Sequence, residues 1–511
     1  MSRRLSGPDT PAAQPVPGRR RPGNARRPFG WAAAWAAVAV GLTGSFPASA
    51  QTDSLRFSLA QATEMAVERH LGWRSAQLTV LMEQQAVIGE RARFGRTLTA
   101  SATQQNTQSP SSSKLEGVRT STSASQSLGL SLTQQLSSGG SVGVDFRNTR
   151  SSSNAAFQLL NPQYQSGLTL RVSQPLLQGR GKVNRIGLEM ANNNLTGSRV
   201  SAEDQRWQLE TQVGQAYWSL VMARQSLGVR EQLLAGAERV LETMRTRAEV
   251  GSVARSAVLE AQVGVAQRRQ EIVAAEGAVR QAEDQLRALL GIDQQPGGWA
   301  WVLVPTDVPA MVPFIGEAEV GVERATARDA ACRQAEIAVR NASLQLALLR
   351  DQARPSVSLT AQASLSGIGG SYGDDLQTLR QAEARNWQGS LGLNLPLSGN
   401  PVAQARVREQ ELANQQRQLQ LEQARLQVAA KVRSQHRQVG INRQAEEAAA
   451  WTEQQAEQNV QEQEERLGLG LSTVRQVLDA QDALAQSKLA RQQAAAAYNN
   501  ALLEWHRLTG E

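Results

Sequence analysis

Two periodicities alternate along the chain. Residues 184–250 contain no proline, and Val213, Leu220, Leu227, Leu234 and Leu241 stand seven apart. The partner seam positions Leu209, Ala216, Ala223 and Ala237 are small or apolar, with Arg230 the exception. This heptad predicts a long helix lying against other helices, its alanines permitting close approach. At 1.5 Å per residue it is roughly 100 Å long. Gly251 breaks it, and 253–290 predicts a second helix of roughly 57 Å. The pattern returns in 401–466, where Leu412, Leu419 and Leu426 are seven apart. Gly468 and Gly470 follow, then a last helix to about Leu508. Shorter helices are predicted over 57–93 and up to about Ala353.

Between 97 and 175 the period falls to two. Leu128, Leu130 and Leu132 precede Ser138-Gly139-Gly140, and Val142, Val144 and Phe146 follow it. Leu168, Leu170 and Val172 continue the alternation. This predicts a β-hairpin with further strands. Four strand-like runs are visible, at 97–104, 126–136, 141–147 and 167–174, separated by Ser-rich stretches 109–125 and 148–156 that read as exposed loops. The later half offers two strands, 356–366 and 387–396. The loop between them, with Gly373-Asp374-Asp375, reads as solvated. The Pro/Gly-rich stretch 292–316 is a connector, which Trp299 and Trp301 pack against the helices.

The two halves share more than a pattern. Arg247 to Gln262 reads RAEVGSVARSAVLEAQ, and Arg466 to Gln481 reads RLGLGLSTVRQVLDAQ, an offset of 219 residues. A second echo pairs Ala92–Ala102 with Ala353–Ala363. A unit of helix, strands, long helix, Gly break and helix is therefore present twice, over 51–291 and 317–511. The strands fall at one end of each copy and the Gly breaks (251 and 468–470) at the other.

Composition narrows the function. Residues 1–50 read as a secretion signal peptide: clustered arginines, an apolar stretch from Trp31 to Gly44, and Ala48-Ser49-Ala50 ahead of Gln51. That leader holds seven of the 54 basic residues and one of the 46 acidic ones, so the rest of the chain is nearly neutral. The high isoelectric point thus gives no case for nucleic acid. No later stretch has 18 consecutive apolar residues, so no spanning helix is expected. One cysteine, Cys332, allows neither an internal disulfide nor a cysteine metal cluster. His70, His436 and His506 are far apart without carboxylate or thiol partners at ligand spacing. Gly468-Leu469-Gly470 lacks the Lys-Ser/Thr of a phosphate loop. The sequence therefore offers no catalytic, cofactor or metal site, and an enzyme is not expected. A secreted chain with amphipathic strands and no spanning helix points to an outer-membrane protein, and too few strands for a barrel of its own point to oligomerisation.

The duplicated tips, the strand-to-helix junctions Gln174-Pro175-Leu176-Leu177 and Leu395-Pro396-Leu397, and the opening helix Leu59-Ala60-Gln61-Ala62 with Ala66 resemble those of the TolC family of outer-membrane efflux proteins (outer-membrane factors). The resemblance covers essentially all of the chain after the leader. It implies a mainly α protein of duplicated β-β-α-α repeats. Long coiled-coil hairpins would form an α-barrel tunnel in a homotrimer, topped by a transmembrane β-barrel in outer-membrane lipid. Four strands per chain would give twelve, and the second hairpin of the first copy would widen the barrel or form an external loop. Phe146, Phe157, Tyr164, Tyr372 and Trp387 are candidates for aromatic girdles. The implied partners are a periplasmic adaptor and an inner-membrane transporter, and the implied role is passive export of small molecules or proteins.

By the same resemblance the Gly tips close the tunnel and dock the adaptor. The docking candidates are Arg247, Gly251, Val253, Arg466, Gly470, Ser472 and Thr473. The entrance candidates are Asp479, its first-copy counterpart Glu260, and Gln476. A soluble periplasmic coiled-coil scaffold or adaptor is the rival reading. An adaptor would carry one helical hairpin flanking compact β-domains, unlike the two hairpins here.

Overall fold

The computed structural model describes residues 54–111, 117–156, 158–294, 298–397 and 399–510. The predicted signal peptide and the girdle candidate Phe157 lie outside them. The chain divides into Met1–Gln51 and Thr52–Glu511, and all described residues belong to the second unit.

The first copy opens with strand β1 (Ser54–Phe57) and helices α1 (Leu59–Arg69) and α2 (Leu71–Ala92). Strands β2 (Arg96–Pro110), β3 (Thr120–Gln135), β4 (Ser141–Ser153) and β5 (Gln163–Pro175) follow, then α3 (Ile186–Glu249) and α4 (Arg255–Leu290). The connector contributes β6 (Val302–Pro305). The second copy comprises α5 (Ala318–Arg328), α6 (Ala330–Gln352), β7 (Ser356–Gly369), α7 (Tyr372–Gln381), β8 (Ala384–Asn394), α8 (Pro401–Gly468) and α9 (Val474–Thr509).

The long helices, 64 and 68 residues, measure about 96 and 102 Å. In the half nearer the strands, α2 packs on α3, α3 on α6 and α6 on α8; in the other half, α4 packs on α3, α3 on α9 and α9 on α8. α1 meets α4 and α5 meets α9, so two short helices line up beside each long one. The expected single helix over 57–93 is broken at His70, whose backbone is extended and whose Nδ1 accepts from Trp73 N at 3.4 Å. Asp329 makes the matching break between α5 and α6, accepting from Ala331 N and Cys332 N.

The apolar seams become the core. Val213, Tyr217 and Leu220 of α3, Leu286 and Leu290 of α4, and Phe57, Ile292 and Leu303 around the connector pack together, all nearly inaccessible. β6 pairs in parallel with β1. The Tyr217 hydroxyl contacts Phe57 O at 3.2 Å and Asp307 Oδ2 at 3.1 Å, and accepts from Thr306 N and Asp307 N. Burial pushes this phenol above its usual range. Trp301 packs on this core as expected, whereas Trp299 is 61% exposed. The second copy builds its own cluster from Trp505, Ala325, Cys332, Val428 and Val432, with Phe314 of the connector edge-on to Trp505. By contrast, Leu412, Leu419 and Leu426 of α8 are 55%, 66% and 72% exposed. Their heptad has no covering partner among the described residues.

Where the resemblance implies four barrel strands per chain, the main sheet holds six among the described residues. They form one antiparallel sheet of order β2-β3-β4-β5-β7-β8. The first repeat is therefore β-β-β-β-α-α, with its additional hairpin inside the sheet. Parts of the expected Ser-rich loops, 120–125 and 148–153, are strand, because backbone pairing with neighbours needs no apolar side chain. The later strands extend to Ser356–Gly369 and Ala384–Asn394. The loop between them holds helix α7, and Asp375 is fully buried there rather than solvated. It accepts from Asn148 Nδ2 at 2.9 Å and from Ser166 N at 2.8 Å.

The unbroken register gives the sheet two chemically distinct faces. One carries Leu98, Leu130, Leu132, Val144, Phe146, Leu168, Leu170, Leu359, Leu365, Trp387 and Leu391. The other carries Thr97, Thr99, Ser127, Ser131, Thr149, Thr169, Thr360, Gln362, Gln388 and Ser390, with Asp145, Arg147 and Arg171 as its charges. Of the girdle candidates, Phe146, Tyr164 and Trp387 share the apolar face, and Tyr372 opens α7.

Candidate functional site

The two helical tips, at the end of the helices away from the sheet, are built alike. α3 is capped at its C-terminus by Val250 and Gly251 takes φ +76°; α8 is capped by Leu469 and Gly470 takes φ +76°. Ser252 N donates to Arg247 O at 2.9 Å and Gly251 N to Ala248 O at 3.1 Å. In the second copy Leu471 N donates to Arg466 O at 2.8 Å and Gly470 N to Leu467 O at 3.2 Å. Both are the same paired closure of a helix C-terminus through a left-handed residue, which glycine adopts at least cost. Gly468, expected to share the break, is the last residue of α8. The shared Arg…Gly spacing of the two motifs is therefore the geometry of the cap.

The docking candidates divide by how they are engaged. Arg247 is half-buried, and its Nη1 donates to Leu467 O at 3.1 Å, so it ties the first tip to the second. Arg466 is exposed and pairs with Glu462, 3.4 Å away. Val253 is half-buried. Ser472 Oγ bonds Gln463 Oε1 at 2.9 Å, and Thr473 is the N-cap of α9. The large apolar residues the tips present openly are Val250, Leu469 and Leu471, at 76%, 76% and 74% exposure. Sequence reasoning missed these three, although they flank the glycines it singled out.

Of the entrance candidates, Gln476 is engaged locally. Its Oε1 accepts from Thr473 N at 2.8 Å while its own N donates to Thr473 Oγ1 at 3.3 Å, a capping box. Asp479 lies one turn on, 71% exposed, with Arg475 Nε at 4.0 Å. Glu260 is exposed on α4. Among the described residues no ion pair joins Asp479 to Glu260, so one chain leaves two separate outward acids. An exposed pair such as Arg475–Asp479 holds its partners weakly.

Above the tips, Ala237, Leu241, Met244, Ala261, Val265 and Val474 form a small core shared by the two copies. Higher still, Arg230, the exception in the heptad seam, meets Glu271 Oε2 of α4 at 2.8 Å. Glu271 is also 3.5 Å from Arg268, which pairs with Asp482 of α9. Arg268 is only 8% exposed, so this network fastens α3, α4 and α9 in an otherwise apolar seam. Within the described residues no group of three or more His, Cys, Asp or Glu is arranged to hold a metal ion, and no helix is long and apolar enough to cross a membrane.

Solved structures with the same fold include the Campylobacter jejuni CmeC outer membrane channel, at 13% identity and TM-score 0.67, over 88% of this chain and 85% of that one. They include VceC, an outer membrane protein from Vibrio cholerae, at 17% identity and TM-score 0.64, over 88% and 96%. The open state of the Neisseria gonorrhoeae MtrE outer membrane channel matches at 17% identity and TM-score 0.61, over 91% and 93%. No curated protein matches the sequence. At these identities the structures establish the fold. The family model described as outer membrane efflux protein matches residues 141–292 and 321–511, well over half of the chain, and the chain therefore belongs to the outer membrane efflux protein family.

Proposed function

We propose that three copies of this chain close into a ring that forms a continuous conduit from the periplasm across the outer membrane. The observation that carries this reading is the pair of open flanks on a single chain. In the sheet, β2 and β8 each have one unpaired edge. On the helices next to them, α2 exposes Leu71, Leu78, Leu81, Met82 and Ile88, and α8 exposes Leu412, Leu419 and Leu426. β2 runs away from the helices and β8 runs back toward them, so β8 of one copy meets β2 of the next antiparallel, as barrel strands must. Each copy thus presents two different surfaces, a head-to-tail arrangement that produces a closed ring. The apolar sheet face then lies against lipid and the hydroxyl-rich face lines the pore.

Within this ring the repeats 51–291 and 317–511 supply equal shares of the wall, and 292–316 forms an equatorial belt. The tips close the periplasmic entrance, and the Asp479 and Glu260 carboxylates of three copies favour cations there. Val250, Leu469 and Leu471, with Arg466, offer an apolar and basic surface to a periplasmic adaptor, which couples the conduit to an inner-membrane transporter. The chain performs no chemistry, and the transporter selects the substrate, small molecule or protein.

The test is the behaviour of the full-length protein in cells and in detergent. Recovery with outer membranes, and a protein mass of three chains in detergent solution, are the expected results. A water-soluble monomer in the periplasmic fraction would overturn the proposal and restore the scaffold reading.

A further inference from the structure

We infer that the hairpin β3–β4 is part of the barrel wall, so that three copies close an eighteen-stranded barrel as wide as the helical tunnel beneath it. The inference rests on the three-copy ring proposed above.

Four observations carry it. First, the hairpin is continuous with the sheet: β3 pairs with β2 from Arg96↔Gln134 to Pro110↔Thr120, and β4 pairs with β5 from Ser141↔Ser173 to Ser151↔Gln163. These strands, 16 and 13 residues long, exceed the roughly 9–11 residues a tilted strand needs to cross a bilayer. Second, its side chains keep the two-faced chemistry of the neighbours. Leu98, Leu132, Val144 and Leu170 occupy one row, and Ala100, Leu130, Phe146 and Leu168 the next. A hairpin lifted out of the wall would carry this apolar band into water.

Third, the hairpin turn is fixed at the junction between sheet and helices. Gly181 N donates to Ser138 O at 2.9 Å, Ser138 Oγ bonds Gln174 Oε1 at 3.0 Å, and Arg185 Nη2 bonds Ser137 Oγ at 3.3 Å. Gly139, at φ +95°, lies so close that a Cβ would stand 2.0 Å from Gly179 O. The hairpin therefore spans the whole height of the sheet, from this junction to the far rim.

Fourth, the widths agree. Tilted by about 40° and spaced by about 4.8 Å, each strand occupies about 6.3 Å of circumference, so six take about 38 Å per chain. The four helices next to the sheet (α2, α3, α6 and α8), 8–10 Å apart, take about 36 Å. Four strands would take only about 25 Å on the same basis and would pinch the conduit at the junction. Eighteen strands give a backbone diameter of about 36 Å against about 24 Å for twelve. The lining adds few charges, only Asp145, Arg147 and Arg171 of each chain. The crown is thus a mostly uncharged, polar collar wide enough for polymers, and sieving falls to the glycine tips.

Electron cryomicroscopy of the full-length assembly in detergent counts the strands. Eighteen strands in a three-copy ring is the expected result. Twelve strands in such a ring, with β3–β4 outside the wall, overturns this inference alone, whereas particles that form no closed ring overturn the preceding reading. A second measurement works in membranes, on a Cys332→Ser background. Ala100→Cys with Leu130→Cys, on adjacent strands, should form a disulfide. Ala100→Cys with Leu168→Cys, three strand spacings or about 14 Å apart, should not. The reverse pattern places β2 directly beside β5 and excludes the hairpin from the wall.

Discussion

The two copies agree at the tips and differ at the crown. At the tips, Gly251 and Gly470 share one φ value, one pair of capping bonds and one offset from their arginines. At the crown, the first copy supplies four strands and the second supplies two with helix α7 between them. The difference reflects what each end requires. A helix must turn at the tip within five residues, and few backbone solutions exist. A sheet accepts a whole antiparallel hairpin without reversing any flanking strand, because two added strands restore the original direction. The crown can widen while the chain still enters and leaves at the junction.

The largest effect is expected where the added hairpin touches the junction between sheet and helices. Gly139→Val places a β-branched residue at φ +95° with its Cβ against Gly179 O. It should cost on the order of 3 kcal/mol or more, read as loss of assembled protein in the outer membrane. Gly181→Val, at φ +75° with open space around it, should cost only the left-handed backbone penalty and keep assembly.

The tip comparison is sharpened by Gly251→Val and Gly470→Val made separately. Neither site has an atom within 4 Å of the added Cβ, so each change should cost about 1–2 kcal/mol of backbone strain. The two should match within about 0.5 kcal/mol, measured as local opening by hydrogen exchange. Unequal values would show that the tips are alike in outline only.

The arginines should behave unequally. Arg247→Met removes the bond to Leu467 O and should loosen the tips by about 1.5 kcal/mol. Arg466→Met breaks an exposed pair with Glu462 and should change stability by about 0.3 kcal/mol while weakening adaptor binding. The smallest effect is at the entrance. Asp479→Asn should reduce the cation preference of the pore in planar bilayers more than Glu260→Gln, and neither should change assembly.

Much of this molecule was legible in its sequence. The tips announced themselves through a repeated Arg–Gly spacing, and the two-faced strands through leucines at 128, 130 and 132. What escaped depends on contacts distant in the chain. The Ser-rich ends of β3 and β4 lack an apolar rhythm, and only backbone pairing makes them strand. Asp375 is buried because Asn148 and Ser166, 227 and 209 residues earlier, stand beside it. Arg230 broke the heptad visibly, but its partner Glu271 lies on another helix. Gln476 stays an entrance candidate, and its local capping bonds to Thr473 follow from where α9 begins. Leu412, Leu419 and Leu426 were legible as a seam, yet their partner belongs to another copy in the proposed ring.

Ring closure by three copies is tested most directly by joining the open edges covalently. Thr99→Cys on β2 and Ser390→Cys on β8, on a Cys332→Ala background, are treated in outer membranes with a short flexible thiol cross-linker. The expected ladder stops at three chains, because the third link closes the ring. A ladder that continues beyond three, or one that never leaves the monomer, contradicts the account.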